Sequence, residues 1–336
     1  MFNIVIKGGE NLSFTCDESD TVLRAALRNG IGFPYACNVG SCGNCRFQLL
    51  EGEVKHKWED PPAWSERDLK RQRFLGCQAI PGSDCTIKFR SNDKFLPANS
   101  PVRTSARIVD RVELTHDITE FRLQLDNPSA FIAGQYALLQ MPGVNGQRAY
   151  SMSNLPDDPS RWDFQIKKVP GGAATSALFD DLKDGERIDL DGPYGIAHFQ
   201  PDAPRDIVLL AGGSGLSPMI SIARAASEHP STQHRNIDFF FGGRTPQDIC
   251  GEDILAELTG FGETLRFHPA ISNPGDDTDW DGHVGFLHDV AKQVLGDELK
   301  SREIYFAGPP AMARAIETLL FEMKISPEQV HFDEFY

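Results

Sequence analysis

The chain has 336 residues, 40% of them hydrophobic, and a formal net charge of −15. This length and composition predict two or three globular domains with hydrophobic cores, and the acidic balance argues against a nucleic-acid partner, because phosphate binding needs a basic face. No apolar run approaches the roughly 20 residues of a membrane-spanning helix, and the strand-like start at 2–6 differs from a signal peptide, so we expect a cytoplasmic protein without a membrane partner.

A small first domain is predicted over residues 1–95, where 13 Lys and Arg stand against 12 Asp and Glu. Its predicted elements are strands at 2–6, 12–16 and 85–89 and a helix at 22–27. Ser19 and Asp20 supply the helix start, and Asn29-Gly30 its end. Two prolines then mark a linker over 96–104.

The rest of the chain changes pattern twice. Residues 105–202 alternate strands with Gly, Pro and Asn and contain one short helical candidate at 175–182, as a small antiparallel barrel would. Residues 203–336 place helix-length segments between apolar strands, which predicts a doubly wound parallel sheet. Those strands are expected at 206–211, 237–241, 265–271 and 303–307. The predicted fold class is therefore multidomain, α+β followed by α/β.

Four of the seven cysteines follow the C-x4-C-x2-C…C spacing of a plant-type 2Fe-2S ferredoxin: Cys37, Cys42, Cys45 and Cys77. In a reducing compartment such cysteines are metal ligands more often than disulfides. Gly40 and Gly43 would let the backbone coil tightly around a cluster. Structural zinc is the alternative, but zinc sites usually use two C-x2-C knuckles and this segment has one. The spacing therefore favours a β-grasp ferredoxin domain with a 2Fe-2S cluster.

A flavin signature begins with the R-x-Y-S tetrapeptide Arg148–Ser151. Its companions are Phe131–Tyr136, Ile166–Ser176 and the acidic, aromatic end Phe332–Tyr336. Together these segments resemble the ferredoxin-NADP reductase superfamily.

The resemblance implies that Arg148 pairs with the FAD pyrophosphate, Tyr150 stacks on the isoalloxazine, and Ser151 bonds near flavin N5. Phe335 would cover the ring face that nicotinamide must reach, so Tyr150, Ser151 and Phe335 are the implied catalytic residues. The other implied FAD contacts are Ala149, Ile166, Lys167, Val169, Gly172, Ala173, Ala174 and Thr175.

A nicotinamide signature follows in LLAGGSGLSP, residues 209–218, between an apolar strand and a helix. Glycines there let the backbone approach a pyrophosphate, and the proline suits a first helical turn. With YFAGPPAM at 305–312, the segment resembles the same superfamily. The implied dinucleotide contacts are Gly212, Gly213, Ser214, Gly215, Ser217, Pro218, Arg244, Gly308, Pro309 and Met312.

Two positions depart from the pattern of the superfamily. Ala307 stands where most relatives have cysteine. The second strand of the sheet runs into Gly242–Thr245 without the acidic residue that holds an NAD ribose, and Arg244 could meet the extra phosphate of NADPH. The resemblance to oxygenase reductases with a similar Gly-x-Arg stretch favours NADH, with NADPH as the alternative.

The whole chain resembles the reductase components of bacterial multicomponent aromatic oxygenases, of the toluene monooxygenase and of the benzoate and naphthalene dioxygenase types. That resemblance implies transfer of electrons from NADH through FAD and the 2Fe-2S cluster to a terminal oxygenase or a separate ferredoxin. A reductase of deoxysugar biosynthesis and a zinc-binding interaction module are the alternatives. Two segments are candidate partner contacts: the loop Val39–Asn44 and the basic cluster Lys70, Arg71 and Arg73.

Overall fold

The computed structural model describes residues 1–8, 12–275 and 279–333. Phe335, the predicted flavin-covering residue, lies outside the described residues. No described helix is long and apolar enough to cross a membrane.

The first domain is a β-grasp fold, as predicted. Its five-stranded sheet has the order β2-β1-β7-β3-β5, and β4 pairs with β6. Its elements are β1 (Phe2–Ile6), β2 (Ser13–Cys16), α1 (Val22–Arg28), β3 (Arg46–Glu51), β4 (Val54–His56), α2 (Glu66–Lys70), β5 (Arg73–Leu75), β6 (Ala79–Pro81) and β7 (Cys85–Lys88). The hydroxyl of Thr21 caps α1 by accepting a hydrogen bond from the backbone N–H of Arg24 at 3.4 Å. One face of the sheet and α1 share a single hydrophobic core.

The second domain is a six-stranded antiparallel sheet of order β11-β10-β13-β8-β9-β12, which confirms the predicted barrel class. Its elements are β8 (Val102–Glu113), β9 (Ile118–Leu125), β10 (Tyr136–Gln140), β11 (Arg148–Ser151), β12 (Arg161–Lys167), α3 (Ala173–Ser176) and β13 (Arg187–Tyr194). The two edge strands are tied together just beyond β11, where the N–H of Ser153 donates to the carbonyl of Asp163 at 2.7 Å. The first strand begins at Val102, within the predicted linker.

The third domain is an entirely parallel six-stranded sheet of order β17-β16-β15-β14-β18-β19, as predicted for a doubly wound fold. Its elements are β14 (Ile207–Gly212), α4 (Leu216–Glu228), β15 (Ile237–Gly243), α5 (Glu252–Ala256), β16 (Leu265–Ile271), β17 (His283–Val284), α6 (Leu287–Leu295), β18 (Glu303–Ala307), α7 (Pro310–Glu322) and β19 (Val330–His331). Separate hydrophobic cores cover the two faces of the sheet. Parallel pairing brings the carboxyl ends of β14, β15 and β18 to one edge, where doubly wound folds bind ligands.

A buried ion-pair network fixes the first domain to the barrel. Asp191 of β13, which is 2% exposed, accepts a hydrogen bond from Arg28 of α1 at 2.6 Å and another from the hydroxyl of Tyr194 at 2.7 Å. Arg28 also pairs with Asp20 at 2.9 Å. Losing one partner of a buried pair costs several kcal/mol, because the other charge stays buried. This network therefore holds the cysteine loop in a defined position beside the barrel.

Candidate cofactor sites

The four predicted cluster ligands form two pairs. The sulfur atoms of Cys45 and Cys77 are 3.4 Å apart, too far for a disulfide and close to the separation of two thiolates on one metal ion. Cys37 and Cys42 are joined by a hydrogen bond from the backbone N–H of Cys42 to the sulfur of Cys37 at 3.4 Å. Cys45 and Cys77 come together because the loop after β5 returns to the end of the cysteine segment, where the N–H of Gly76 donates to the carbonyl of Cys45 at 2.8 Å.

The distances between the four cysteine sulfur atoms differ between a site that holds one metal ion and a site that holds two. Around a single tetrahedral zinc, all four thiolates would lie about 3.8 Å from one another. Among the described residues, no three of the four cysteine sulfur atoms lie within 4.8 Å of one another. Two separated thiol pairs fit the two irons of a 2Fe-2S cluster.

The backbone of the cysteine loop stabilises negative charge on sulfur. A hydrogen bond from the Cys42 thiol, together with backbone N–H groups of Val39 and Cys42, lowers the pKa of the Cys37 thiol to about 6. Gly40 and Gly43 have φ values of +94° and +82°, which confirms the predicted left-handed turns. Such N–H groups would stabilise the sulfur ligands of a reduced cluster.

Access to the cluster ligands is limited. Cys37, Cys45 and Cys77 are buried, and Cys42 is partly exposed. Asn44, at the end of the predicted contact loop, is exposed and lines a cleft of about 590 Å³ between the cysteine loop and α7.

The predicted flavin residues lie on the edge strand β11 and on the segment after β12. Arg148 is exposed and bonds only to backbone carbonyls of Asn145 and Gln147, and it pairs with no carboxylate among the described residues. Its guanidinium is therefore free to hold a pyrophosphate. Burial raises the pKa of Tyr150 to about 12, so its phenol stays protonated.

The opposite wall of this site is the turn into α3. Gly172 caps the helix without a side-chain hydrogen bond, and the hydroxyl of Thr175 accepts from the N–H of Val169 at 3.2 Å. The first-turn N–H groups belong to predicted contacts Ala173, Ala174 and Thr175. Ile166 and Lys167 end β12, and the ammonium of Lys167 is held by Asp117 at 2.8 Å and by Asp248 at 3.3 Å. The N–H groups of Ala173, Ala174 and Thr175 fit one side of a pyrophosphate.

The predicted dinucleotide residues converge at the carboxyl edge of the parallel sheet. A Cβ on Gly215 would lie 1.9 Å from the carbonyl oxygen of Ala307, so only glycine allows the loop after β14 to meet the end of β18. Gly212 faces the sulfur of Met312, and Gly308 and Pro309 directly precede α7, with Pro309 at its N-cap. Arg244 is exposed at the end of β15.

Two of the predicted dinucleotide contacts, Ser214 and Ser217, also hydrogen-bond to the flavin strands. The hydroxyl of Ser217 accepts from the N–H of Gln165 at 3.1 Å and donates to the carbonyl of Ser151 at 2.6 Å. The hydroxyl of Ser214 accepts from the N–H of Lys167 at 2.9 Å. Both side chains thus tie the dinucleotide loop to the flavin strands β11 and β12.

Residues without a predicted role join the cluster loop, the barrel and the C-terminal segment. The N–H of Gly195, just after β13, donates to the hydroxyl of Tyr35 at 2.9 Å, and the N–H of Ile196 donates to the carboxyl of Asp333 at 3.4 Å. Asp333 lies in the C-terminal signature, but a sequence pattern cannot identify its partner 137 residues away.

Comparison with known proteins agrees with the division of the chain into three domains. Three family models match: a 2Fe-2S iron-sulfur cluster binding domain at residues 5–82, an oxidoreductase FAD-binding domain at 105–199 and an oxidoreductase NAD-binding domain at 209–318.

Similar proteins match over the full length. A ferredoxin–NAD(P)(+) reductase of Metapseudomonas resinovorans is 39% identical over 343 residues, covering 100% of each chain. The reductase component of phenol 2-monooxygenase from Pseudomonas sp. (strain CF600) is 33% identical, with 95% of this chain and 90% of that protein aligned. The solved ferredoxin reductase in carbazole 1,9a-dioxygenase superposes with a TM-score of 0.91 at 36% identity, covering 100% of this chain and 98% of that chain.

Proposed function

Because the chain belongs to the family of ferredoxin–NAD(P)(+) reductases that carry 2Fe-2S, FAD-binding and NAD-binding domains, we propose that it is the NADH-dependent reductase component of an aromatic oxygenase system. Its electron acceptor is a terminal oxygenase or a separate ferredoxin. The proposed domains are 1–95, 105–202 and 203–336, with a linker at 96–104. The three matched family regions lie within those bounds.

The observation that carries the proposal is the contact between the three sites. Ser217 hydrogen-bonds the dinucleotide loop to the strand that bears Ser151. Ser151 pairs with Tyr136 of β10, and the hydroxyl of Tyr136 reaches the cysteine loop at Ala36. Hydrogen bonds and strand pairing therefore join the edge of the parallel sheet to Ala36, the residue before the proposed ligand Cys37.

In this proposal, the residues of the flavin site and of the cysteine loop have defined roles. When bound, FAD accepts a hydride and the iron-sulfur cluster passes single electrons onward. Arg148 and the α3 N–H groups bind the flavin pyrophosphate from two sides, and the protonated Tyr150 packs against the ring. Cys37 with Cys42, and Cys45 with Cys77, each hold one iron.

NADH is the proposed reductant. The loop after β15 carries a carboxylate that the sequence pattern did not reveal: Asp248 accepts hydrogen bonds from the N–H groups of Arg244 at 3.1 Å and Thr245 at 2.9 Å. Asp248 also pairs with Lys167 at 3.3 Å, so its carboxylate closes this loop, and NADH is proposed from the resemblance to oxygenase reductases with a similar Gly-x-Arg stretch. The expected preference for NADH is tested by comparing kcat/KM for the two dinucleotides.

An aromatic oxygenase is the proposed partner system because similar proteins serve such systems. One is named for phenol 2-monooxygenase and another for carbazole 1,9a-dioxygenase. These two names include a monooxygenase and a dioxygenase, so the reductase chemistry is common to both types.

Anaerobic reduction tests the proposal directly. The purified protein should contain two irons, one FAD and no zinc, and NADH should bleach both the flavin bands and the broad cluster absorption. Electron paramagnetic resonance should then detect the reduced cluster. A colourless protein with one zinc per chain would support the interaction-module alternative and overturn the proposal.

A further inference from the structure

A basic concavity lies on the ferredoxin domain, at the edge of its sheet. Its volume is about 530 Å³. It is lined by Lys7, Gly8, Arg46, Phe47, Gln48, Arg73, Lys88, Phe89 and Arg90. Five of these nine residues are basic and none is acidic, although the whole chain has a net charge of −15. The concavity is thus basic, whereas the protein as a whole is acidic.

The cations of the concavity have few internal partners. Arg46 pairs with Asp68 at 3.5 Å. Within the described part of the chain, Lys7, Arg73, Lys88 and Arg90 make no ion pair. Grouped like charges repel one another, so the cluster is stabilised when an anionic surface covers it.

Strand pairing brings these side chains together from distant parts of the sequence. Gln48 of β3 pairs with Arg73 of β5 on one side and with Lys88 of β7 on the other. The alternation of β3 buries Phe47 in the core shared with α1 and leaves Arg46 and Gln48 exposed. The basic side chains therefore lie on the face opposite α1, whereas α1 carries the arginines that bind the barrel.

The concavity lies beside the cluster ligands. Arg46 directly follows the ligand Cys45, and its guanidinium donates to the carbonyl of Gly43 at 3.0 Å. A protein that covers the concavity would therefore lie beside the cysteine loop, at Gly43 and Arg46.

We propose that the basic concavity docks a carboxylate-rich surface of the protein that accepts electrons from the cluster. The inference rests on the proposed function and specifies the chemistry of the partner. Arg46, Arg73 and Lys88 lie on three neighbouring strands, and Lys7 and Arg90 lie just beyond β1 and β7. This spread of positive charge matches an extended acidic protein surface, and charge would steer a docked acceptor to the loop that holds the proposed iron ligands. Of the predicted basic cluster, Arg73 belongs to this surface, while Lys70 and Arg71 lie outside it.

A charge-reversal pair tests the surface. Lys88→Glu with Arg90→Glu changes two exposed residues of the concavity. The matched control is Lys70→Glu with Arg71→Glu, which makes the same change of charge on exposed residues at the end of α2. The probe is an acidic plant-type 2Fe-2S ferredoxin, and its Kd for the reduced holoprotein is measured at low and at physiological salt.

The expected result is a Kd about tenfold higher for the Lys88/Arg90 variant, a weaker salt dependence, and a change of less than about twofold for the control. Equal weakening by both pairs, or unchanged binding in the Lys88/Arg90 variant, would overturn the proposal. Tight binding of inorganic pyrophosphate that is lost only in the Lys88/Arg90 variant, with ferredoxin binding unchanged, would instead indicate a nucleotide-phosphate site. The Kd is measured without turnover, so the proposed function is tested separately. It would be contradicted if NADH failed to bleach the absorbance of the wild-type protein.

Discussion

The hydroxyl of Tyr136 donates a hydrogen bond of 2.5 Å to the backbone carbonyl of Ala36, the residue before the cluster ligand Cys37. Tyr136 is fully buried, and its backbone pairs with Ser151, the predicted partner of flavin N5. One side chain thus links the flavin strand to the cysteine loop. This bond fixes the position of Cys37, the first proposed iron ligand, relative to the proposed flavin site.

Replacing Tyr136 with Phe removes that bond and keeps the ring. The buried carbonyl of Ala36 then lacks its donor, so we expect the free energy of unfolding to fall by about 1–3 kcal/mol. We also expect slower electron transfer from flavin to cluster, measured by stopped-flow absorbance after mixing with NADH, and a changed paramagnetic spectrum of the reduced cluster.

The control for this change is Tyr305→Phe, which removes the hydrogen bond that β18 of the third domain accepts from the N–H of Gln200, near the end of the second domain. It should lower stability without altering transfer or the spectrum of the cluster. If Tyr136→Phe transfers electrons at the wild-type rate, the linking role of Tyr136 is wrong.

Ser217→Ala tests the bond between the dinucleotide loop and the flavin strands. The buried N–H of Gln165 loses its acceptor, which should lower the free energy of unfolding by about 1–3 kcal/mol. Flavin reduction at saturating NADH should slow, because the loop is no longer tied to the strand of Ser151. Ser221→Ala is the matched control, since Ser221 also bonds from α4 to the barrel, at the carbonyl of Asn154. Equal slowing by both variants would mean that only the stability of the interface matters.

Gly215→Ala tests the close approach between the loops after β14 and β18. The new methyl group would meet the backbone oxygen of Ala307, so the two loops must separate, and overpacking of this kind costs about 1–3 kcal/mol or more. We expect a raised KM for NADH together with a lower melting temperature. At Gly242 of β15, an added Cβ has its nearest neighbour at an ordinary 3.4 Å, so Gly242→Ala should change both quantities much less. A normal KM in Gly215→Ala would contradict the role of this contact.

The sequence predicts the parts of the sites that depend on spacing along the chain. The cysteine motif and the glycines at 40, 43 and 215 can be recognised from short segments of sequence. Each residue type is needed there for a turn or for a close approach of the backbone. The strand β3 was missed, although the alternation of RFQLLE indicates it.

Contacts between distant segments could not be predicted in this way. The hydroxyl of Ser217 meets Ser151 across 66 residues, and Tyr136 meets Ala36 across 100. Such partners are set by the packing of one domain on another. The hydrogen bonds of Ser214 and Ser217 to the flavin strands could not be predicted for this reason, since a motif gives residue types and not the direction of a side chain.

The C-terminal segment contains a partly buried acid, Asp333, whose pKa is raised. Burial raises the pKa of Asp333 from 3.8 to about 7, against the lowering effect of hydrogen bonds from the N–H groups of Ile196 and Ala197. Lys94 is the nearby cation that lowers this pKa, and the Cys37 sulfur is the nearby group that raises it. The acid therefore carries a proton in the folded protein over a pH range in which the unfolded chain has lost it.

Asp333→Asn removes this titration and keeps an oxygen that can accept the same N–H groups. Because the folded pKa lies above the unfolded one, the wild type loses stability relative to the variant as pH rises from 3.8 to about 7, by about 1.4 kcal/mol per pH unit, and the difference levels off above that range. Urea unfolding of both proteins at about pH 5, 6, 7 and 8 measures it. A difference that does not change with pH, or that favours the wild type increasingly at high pH, would show that Asp333 is already ionised when it anchors the C-terminal segment.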